Sequence, residues 1–235
     1  MKDFTDNVRN KQNSIDNTTP VNAGEYDKSI SNTIPYYSDF LGQTFDVIKQ
    51  CSFDEVEWLD LGCGTGTLEK QAFEKFDNLK FVLVEPSEKM LEEAKRKLET
   101  KTIEYVCGRS DEIDYNACFH VVTAIQSHHY MHEEERIRAT SKIYRALREG
   151  GIYISFENVI PEDEQVKAME LKRWGRYQMA HGKTEKEAKA HNDRCGVNYF
   201  PITVAEHVSI LKNAGFMHVH VFWYSYMQMG IYAIK

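Results

Sequence analysis

The sequence predicts an α/β fold: a seven-stranded, mostly parallel sheet with helices on both faces, an N-terminal helical lid, and a helical insertion after the fifth strand. Three observations carry this. Short apolar runs alternate with helical segments from residue 56 to residue 156. A glycine-dense turn follows the first run. The C-terminal stretch alternates in the manner of an antiparallel pair.

Element by element, residues 1–23 are rich in Asn, Asp, Lys, Thr and Ser and predict a flexible arm. In residues 24–50, Tyr26, Ile30, Ile34, Tyr37, Leu41, Phe45 and Ile48 recur at helical spacing, and Pro35 divides the stretch into two helices. Strands are predicted at Val56–Leu61, Lys80–Val84, Ile103–Cys107, Phe119–Ile125 and Ile152–Phe156. Helices are predicted at Thr67–Phe76, Ser87–Leu98 and Glu133–Leu147, with Ser87 as an N-cap. Residues 161–200 break the rhythm as a charged helical insertion or cap. Val204–Ala214 is a further helix, ended by Gly215, before strands at Val219–Tyr224 and Gly230–Ile234. Residues 24–235 thus form one domain.

Composition sets the broad class. The 235 residues are 42% hydrophobic and 28% charged, ordinary for a globular protein. A net charge of −7 disfavours a large nucleic-acid footprint, without excluding a local patch around Lys167, Lys172, Arg173 and Arg176. No apolar run reaches membrane-helix length and the N-terminus lacks the apolar core of a signal peptide, so the expectation is a cytoplasmic protein without membrane contact. Five scattered cysteines without a CxxC pair fit reduced thiols. A homodimer is among the arrangements the sequence allows.

The central motif is Asp60-Leu61-Gly62-Cys63-Gly64-Thr65-Gly66. Its GxGxG spacing differs from the GxGxxG of dinucleotide sites, which disfavours a nicotinamide-dependent dehydrogenase. No Lys follows to cradle a triphosphate. Asp60, two residues before the first glycine, would repel a pyrophosphate but attract an ammonium group. Glu85 ends the second strand, where a carboxylate accepts hydrogen bonds from ribose hydroxyls. The pocket therefore calls for a nucleoside without phosphates that carries a cationic amino acid tail.

With those residues in view, the chain resembles the class I S-adenosylmethionine-dependent methyltransferases, whose fold is Rossmann-like. Leu59–Gly66 resembles their glycine motif, Val82–Ser87 their acidic ribose motif, Cys107–Ile113 their adenine loop, Phe119–Tyr130 their fourth strand and its loop, and Leu147–Phe156 the turn before their fifth strand. The resemblance implies S-adenosylmethionine as cofactor and S-adenosylhomocysteine as product. It places Asp60, Gly62, Cys63 and Gly64 at the methionine end, Glu85 at the ribose with Pro86, Ser87 and Met90 nearby, and Ser110 and Asp111 at the adenine. Arg109 stands where many relatives have Asp, which hands the adenine amino contact to Asp111. Tyr26 and Gln126 complete the implied cofactor set. The terminal stretches resemble the carboxy-S-adenosylmethionine synthase group, enzymes of tRNA wobble modification, in which an arginine after the insertion holds a carboxylate on the cofactor; Arg194 lies near that place.

The fourth-strand loop faces the methyl group in such proteins and here reads Gln126-Ser127-His128-His129-Tyr130. His128 or His129 is a candidate general base, because imidazole titrates near neutrality. The loop lacks the signature of nucleobase amino-group methylation, and no separate RNA- or protein-binding module is visible, so a small-molecule acceptor is expected. Tyr37, Tyr130, Trp174, Tyr177, His181, Arg194 and Tyr199 are candidates for its wall. The spacing of His181 and His191 matches no compact ligand motif, so no metal is expected. Two other readings stay open: a carboxy-S-adenosylmethionine synthase-like activity, and a non-catalytic regulatory subunit that binds the cofactor without turnover.

Overall fold

The computed structural model describes residues 23–99 and 103–235; the side chains of residues 23–26 and 28 stand outside that set, and so does nearly all of the expected N-terminal arm. Helices α1 (Ala23–Thr33) and α2 (Tyr37–Lys49) form the lid, separated at Pro35 as expected. α2 buries Phe40, Leu41, Phe45 and Ile48, one apolar stripe at helical spacing.

Then follow β1 (Val56–Leu61), α3 (Thr67–Phe73), β2 (Leu79–Glu85), α4 (Glu88–Lys97), β3 (Ile103–Cys107), β4 (Phe119–Ile125), a short 3₁₀ turn at His128–Tyr130, α5 (Glu133–Ala146) and β5 (Leu147–Asn158). α6 (Glu164–Ala180) and α7 (Glu185–Asn192) form the insertion, and α8 (Val204–Ala214), β6 (His218–Ser225) and β7 (Gln228–Ile234) end the chain. Ser87 caps α4 by accepting the Met90 N–H at 3.2 Å.

The seven strands lie in the order β3-β2-β1-β4-β5-β7-β6. β1 to β5 pair in parallel, and β7 runs antiparallel to both β5 and β6. The chain steps outward from β1 to β3, then returns to the other side of β1 for β4. Order reverses between β1 and β4, and a crevice at such a switch point is where open α/β sheets bind ligands. Asp60 is in register with Thr123 across that seam.

Successive β1 side chains bury on opposite faces. Leu59 and Leu61 join a core with Val122, Ile143 and Leu211; Trp58 joins another with Phe45, Phe81 and Ile152. A sheet covered on both faces needs apolar residues on both, which is why the central strands read as continuous apolar runs. β5 begins at Leu147, five residues before the expected start. Its first part passes a register shift opposite Phe119–Val121, and backbone bonds from Gly150 to Lys235 and from Lys235 to Gly151 tie it to the C-terminus. Gly150 and Gly151 are thus part of this strand.

The insertion is pinned to the lid by Trp174. Its indole is fully buried, and Nε1 donates to the Thr33 carbonyl at 2.7 Å. Asp163 caps α6 by accepting the N–H groups of Gln165 and Val166, and Thr184 with Glu187 makes a capping box on α7.

Candidate active site

The glycine turn closes over the C-terminal end of β1. Gly62 has φ +79° and its Cβ-less face lies against Ser127: a methyl group there would sit 2.4 Å from Ser127 Cβ. Only glycine permits both that conformation and that approach. Ser127 Oγ in turn donates to the Leu61 carbonyl at 2.8 Å. The Glu85 carboxylate spans the crevice edge, accepting the N–H of Gly64 through Oε2 and that of Ser87 through Oε1, both at 3.0 Å.

A pocket opens between this turn and the loop after β4. Gly62, Gly64, Glu85, Pro86, Met90 and Ser110 form one side. Gln126, His128 and Tyr130 stand on the other. Arg109, Ile125, Ser127 and Met131 also line it; the sequence marks Arg109 as standing in place of an Asp but gives Ile125, Ser127 and Met131 no role of their own. Their pattern signal was weak, since two are ordinary apolar residues and Ser127 acts through its small size.

Other expected cofactor residues sit just behind that wall. Ser87 is buried as the cap of α4, and Cys63 is buried, its thiol pushed well up by burial and by the nearby carboxylates of Glu69, Asp60 and Glu85. Asp111 is not on the pocket wall. Arg109 and Arg138 hold its carboxylate at 3.0 Å each and bring its pKa down against the opposing pull of burial. Arg109 thus occupies the wall expected for Asp111, because two guanidinium groups draw that carboxylate away. The side chain of Tyr26 lies outside the described residues.

Asp60 lies beneath the turn. It accepts a short hydrogen bond from Thr123 Oγ1, which itself accepts the Trp58 indole N–H at 2.8 Å. Its neighbour is Glu69, wholly buried in the first turn of α3, with neither oxygen meeting a donor. Burial raises both carboxyls, Glu69 well above its usual range with the Asp60 charge adding to the rise. Two carboxyls in contact away from water cannot both ionise, so the pair retains a proton near neutrality. Glu69 was missed by sequence because a Glu in a first helical turn ordinarily signals only a favourable dipole contact.

The β4 loop is held from behind by Glu157, also missed. Its Oε1 accepts the His128 N–H at 3.0 Å, and His129 Nδ1 donates to Oε2 at 3.2 Å. Burial pulls the Glu157 pKa up, but the His129 hydrogen bond and the charges of His129, His128 and Arg136 outweigh it and bring it to about 2. His128 is buried, with Nδ1 3.4 Å from the Tyr153 hydroxyl and Nε2 shielded from solvent. Burial lowers its pKa to about 4, so the ring is neutral at pH 7. The His128 ring lines both the pocket and the small cavity beside Tyr153 and Glu157. His129 is buried against Tyr130 and Tyr199, with ring centroids at 4.3 and 5.9 Å.

The candidate acceptor residues divide into three places. Tyr37, Tyr177 and His181 share an open cleft of about 670 Å³ between the lid, α6 and the β6–β7 turn. Tyr130, Arg194 and Tyr199 gather at the other end of the insertion: Arg194 hydrogen-bonds the Tyr130 side chain, and its guanidinium lies 6.0 Å over the Tyr199 ring. Trp174 is core, for its indole is spent on packing α6 to α1. Among the described residues no group of three His, Cys, Asp or Glu is arranged to hold a metal, and no helix is long and apolar enough to cross a membrane.

Residues 59–151 match the family described as "Methyltransferase domain". The chain is 26% identical to a carboxy-S-adenosyl-L-methionine synthase of Nautilia profundicola over 85% of its length and 86% of that protein. It is 28% identical to the protein of the same name from Wolinella succinogenes, over 84% of each. Its fold is similar to that of an S-adenosylmethionine-dependent methyltransferase from Leishmania major, with a TM-score of 0.65, 15% identity, and coverage of 92% of this chain and 79% of that one.

The pocket suits the cofactor such proteins use. The turn offers close backbone approach without a phosphate-binding lysine, Glu85 offers carboxylate oxygens at the end of β2, and Met90, Ile125 and Met131 offer apolar surface for a purine.

Proposed function

We propose that this chain carries a class I methyltransferase domain dependent on S-adenosylmethionine and transfers a methyl group to an O, N, C or S atom of a small-molecule acceptor. The observation that carries the reading is the single pocket walled by Gly62, Gly64 and Glu85 on one side and by the Gln126–Tyr130 loop on the other. When bound, the cofactor supplies a methyl group on a cationic sulfur, ready for in-line displacement.

The chain's own residues do the rest. The glycine turn lets backbone reach the amino acid portion, and the Glu85 carboxylate holds the ribose hydroxyls. The β4 loop aligns the acceptor and excludes water from the reacting atoms. His128 walls the site, and Glu157 holds His129 beside it. Positioning then supplies most of the rate, as suits an acceptor that is nucleophilic without help.

A second reading has its own support. The Arg194 guanidinium beside Tyr130 puts a cation next to the pocket wall, where a carboxylate on the cofactor would be welcome. The names of the relatives from Nautilia profundicola and Wolinella succinogenes point the same way. Native mass spectrometry of freshly purified protein separates the two. A retained ligand with the mass of S-adenosylmethionine or S-adenosylhomocysteine supports methyl transfer. A retained ligand heavier by one carboxyl group overturns it in favour of the second reading.

A further inference from the structure

A small cavity of about 20 Å³, which shares His128 with the cofactor pocket, is lined by His128, Arg136, Tyr153, Glu157 and His207 among others. Among the residues that line it, four polar atoms are buried without a partner: His128 Nε2, His207 Nε2, and Nε and Nη1 of Arg136. Their residues are 3%, 8% and 2% exposed, so solvent does not reach them. Buried donors are almost always met, by protein or by water. A water molecule needs roughly 10–15 Å³ and two to four polar partners. The space and the unmet atoms match that requirement together.

The same cavity borders a strained loop. Gln126, where the chain leaves β4, has φ +56°, a left-handed conformation unusual for a residue with a side chain. Such a conformation persists only when its surroundings fix it from several directions. In front, Ser127 abuts Gly62. Behind, Glu157 takes the His128 N–H and the His129 ring, and Ser155 Oγ braces it at 3.2 Å.

We propose that one internal water molecule occupies this cavity and that Glu157 is a positioning residue, which with that water fixes the β4 loop in the shape the cofactor pocket requires. Glu157 touches neither cofactor nor acceptor. It acts through the backbone of His128 and the ring of His129, and the water satisfies the donors that would otherwise pull the loop inward. This rests on reading the pocket as the cofactor site.

Two measurements on the full-length chain test it. In a high-resolution crystal structure, density for one water within hydrogen-bonding distance of His128 Nε2 and Arg136 is expected; a dry cavity overturns the proposal, whatever the pocket binds. In solution, S-adenosylhomocysteine is titrated into wild type, Glu157→Gln and Ser155→Ala, each confirmed as folded by circular dichroism. Glu157→Gln is expected to weaken binding at least about tenfold, the scale of one charge-assisted hydrogen bond. Ser155→Ala, the gentler change, weakens it less and serves if the first variant does not fold. Lowered melting with wild-type affinity in a folded variant would reduce Glu157 to a stability role and overturn the proposal. Failure of wild type to bind would instead sink the reading of the pocket and leave the crystallographic result to decide on the water.

Discussion

The Glu85 carboxylate accepts the backbone N–H of Gly64 at 3.0 Å, joining the end of β2 to the middle of the glycine turn. The carboxylate is thereby aimed and the turn shaped by the same contact. Glu85→Ala should therefore lower affinity for S-adenosylhomocysteine by about 10- to 100-fold, as expected for one or two charge-assisted hydrogen bonds lost. Calorimetric titration checks this, and wild-type affinity in a folded Glu85→Ala protein would contradict it.

Glu69 gives a prediction of unusual sign. Its pKa is raised in the folded protein, so the native state binds more protons than the unfolded chain above the ordinary carboxylate pKa. The stability linked to that proton is present at low pH and is lost as pH rises through the folded pKa. Glu69→Gln keeps the shape and removes the titration. It should melt at the same or a higher temperature than wild type at pH 8, with a smaller advantage at pH 5. A variant clearly less stable at pH 8 would contradict a protonated carboxyl at this place.

Three buried histidines act in the opposite direction. Burial lowers His128 to about 4, and His191 and His207 to about 3. In the unfolded chain each titrates near 6.5. Their contribution is complete above that value and falls as pH drops toward 4, because the unfolded state takes up protons that the native state refuses. The Asp60–Glu69 pair opposes this with one proton against three. The melting temperature should therefore decline from pH 7 to pH 5 by on the order of 5 °C, and His207→Gln should make the decline shallower. A flat profile in wild type would show these rings to be solvated.

Much of this architecture is legible in the sequence, since strand and helix periods differ and the glycine turn is dense. The strand order at the crevice follows from βαβ units returning to the other side of β1. What is not legible is which polar residues face inward. Trp174 reads as a wall residue because an indole among charged residues resembles a lid, yet it anchors two helices. Asp111 reads as an adenine contact, but the pull of Arg109 and Arg138 comes from elements 2 and 27 residues away. Glu69 and Glu157 are buried through the packing of distant elements, which no local pattern encodes.

Trp174 links the lid to the insertion through one indole hydrogen bond and a fully buried ring. Trp174→Ala should destabilise the protein by roughly 3–5 kcal/mol. Hydrogen exchange should rise first in residues 29–33 and 164–180 and leave β1 and β4 protected. Uniform loss of protection across the sheet would contradict a local anchoring role.

The most direct measurement is calorimetric titration of the purified full-length chain with S-adenosylmethionine and S-adenosylhomocysteine, performed alongside Glu85→Ala. Micromolar binding of either ligand by wild type, weakened in the variant, is the expected result. No binding of either by folded wild-type protein free of retained ligand would contradict the cofactor site between the glycine turn and the β4 loop.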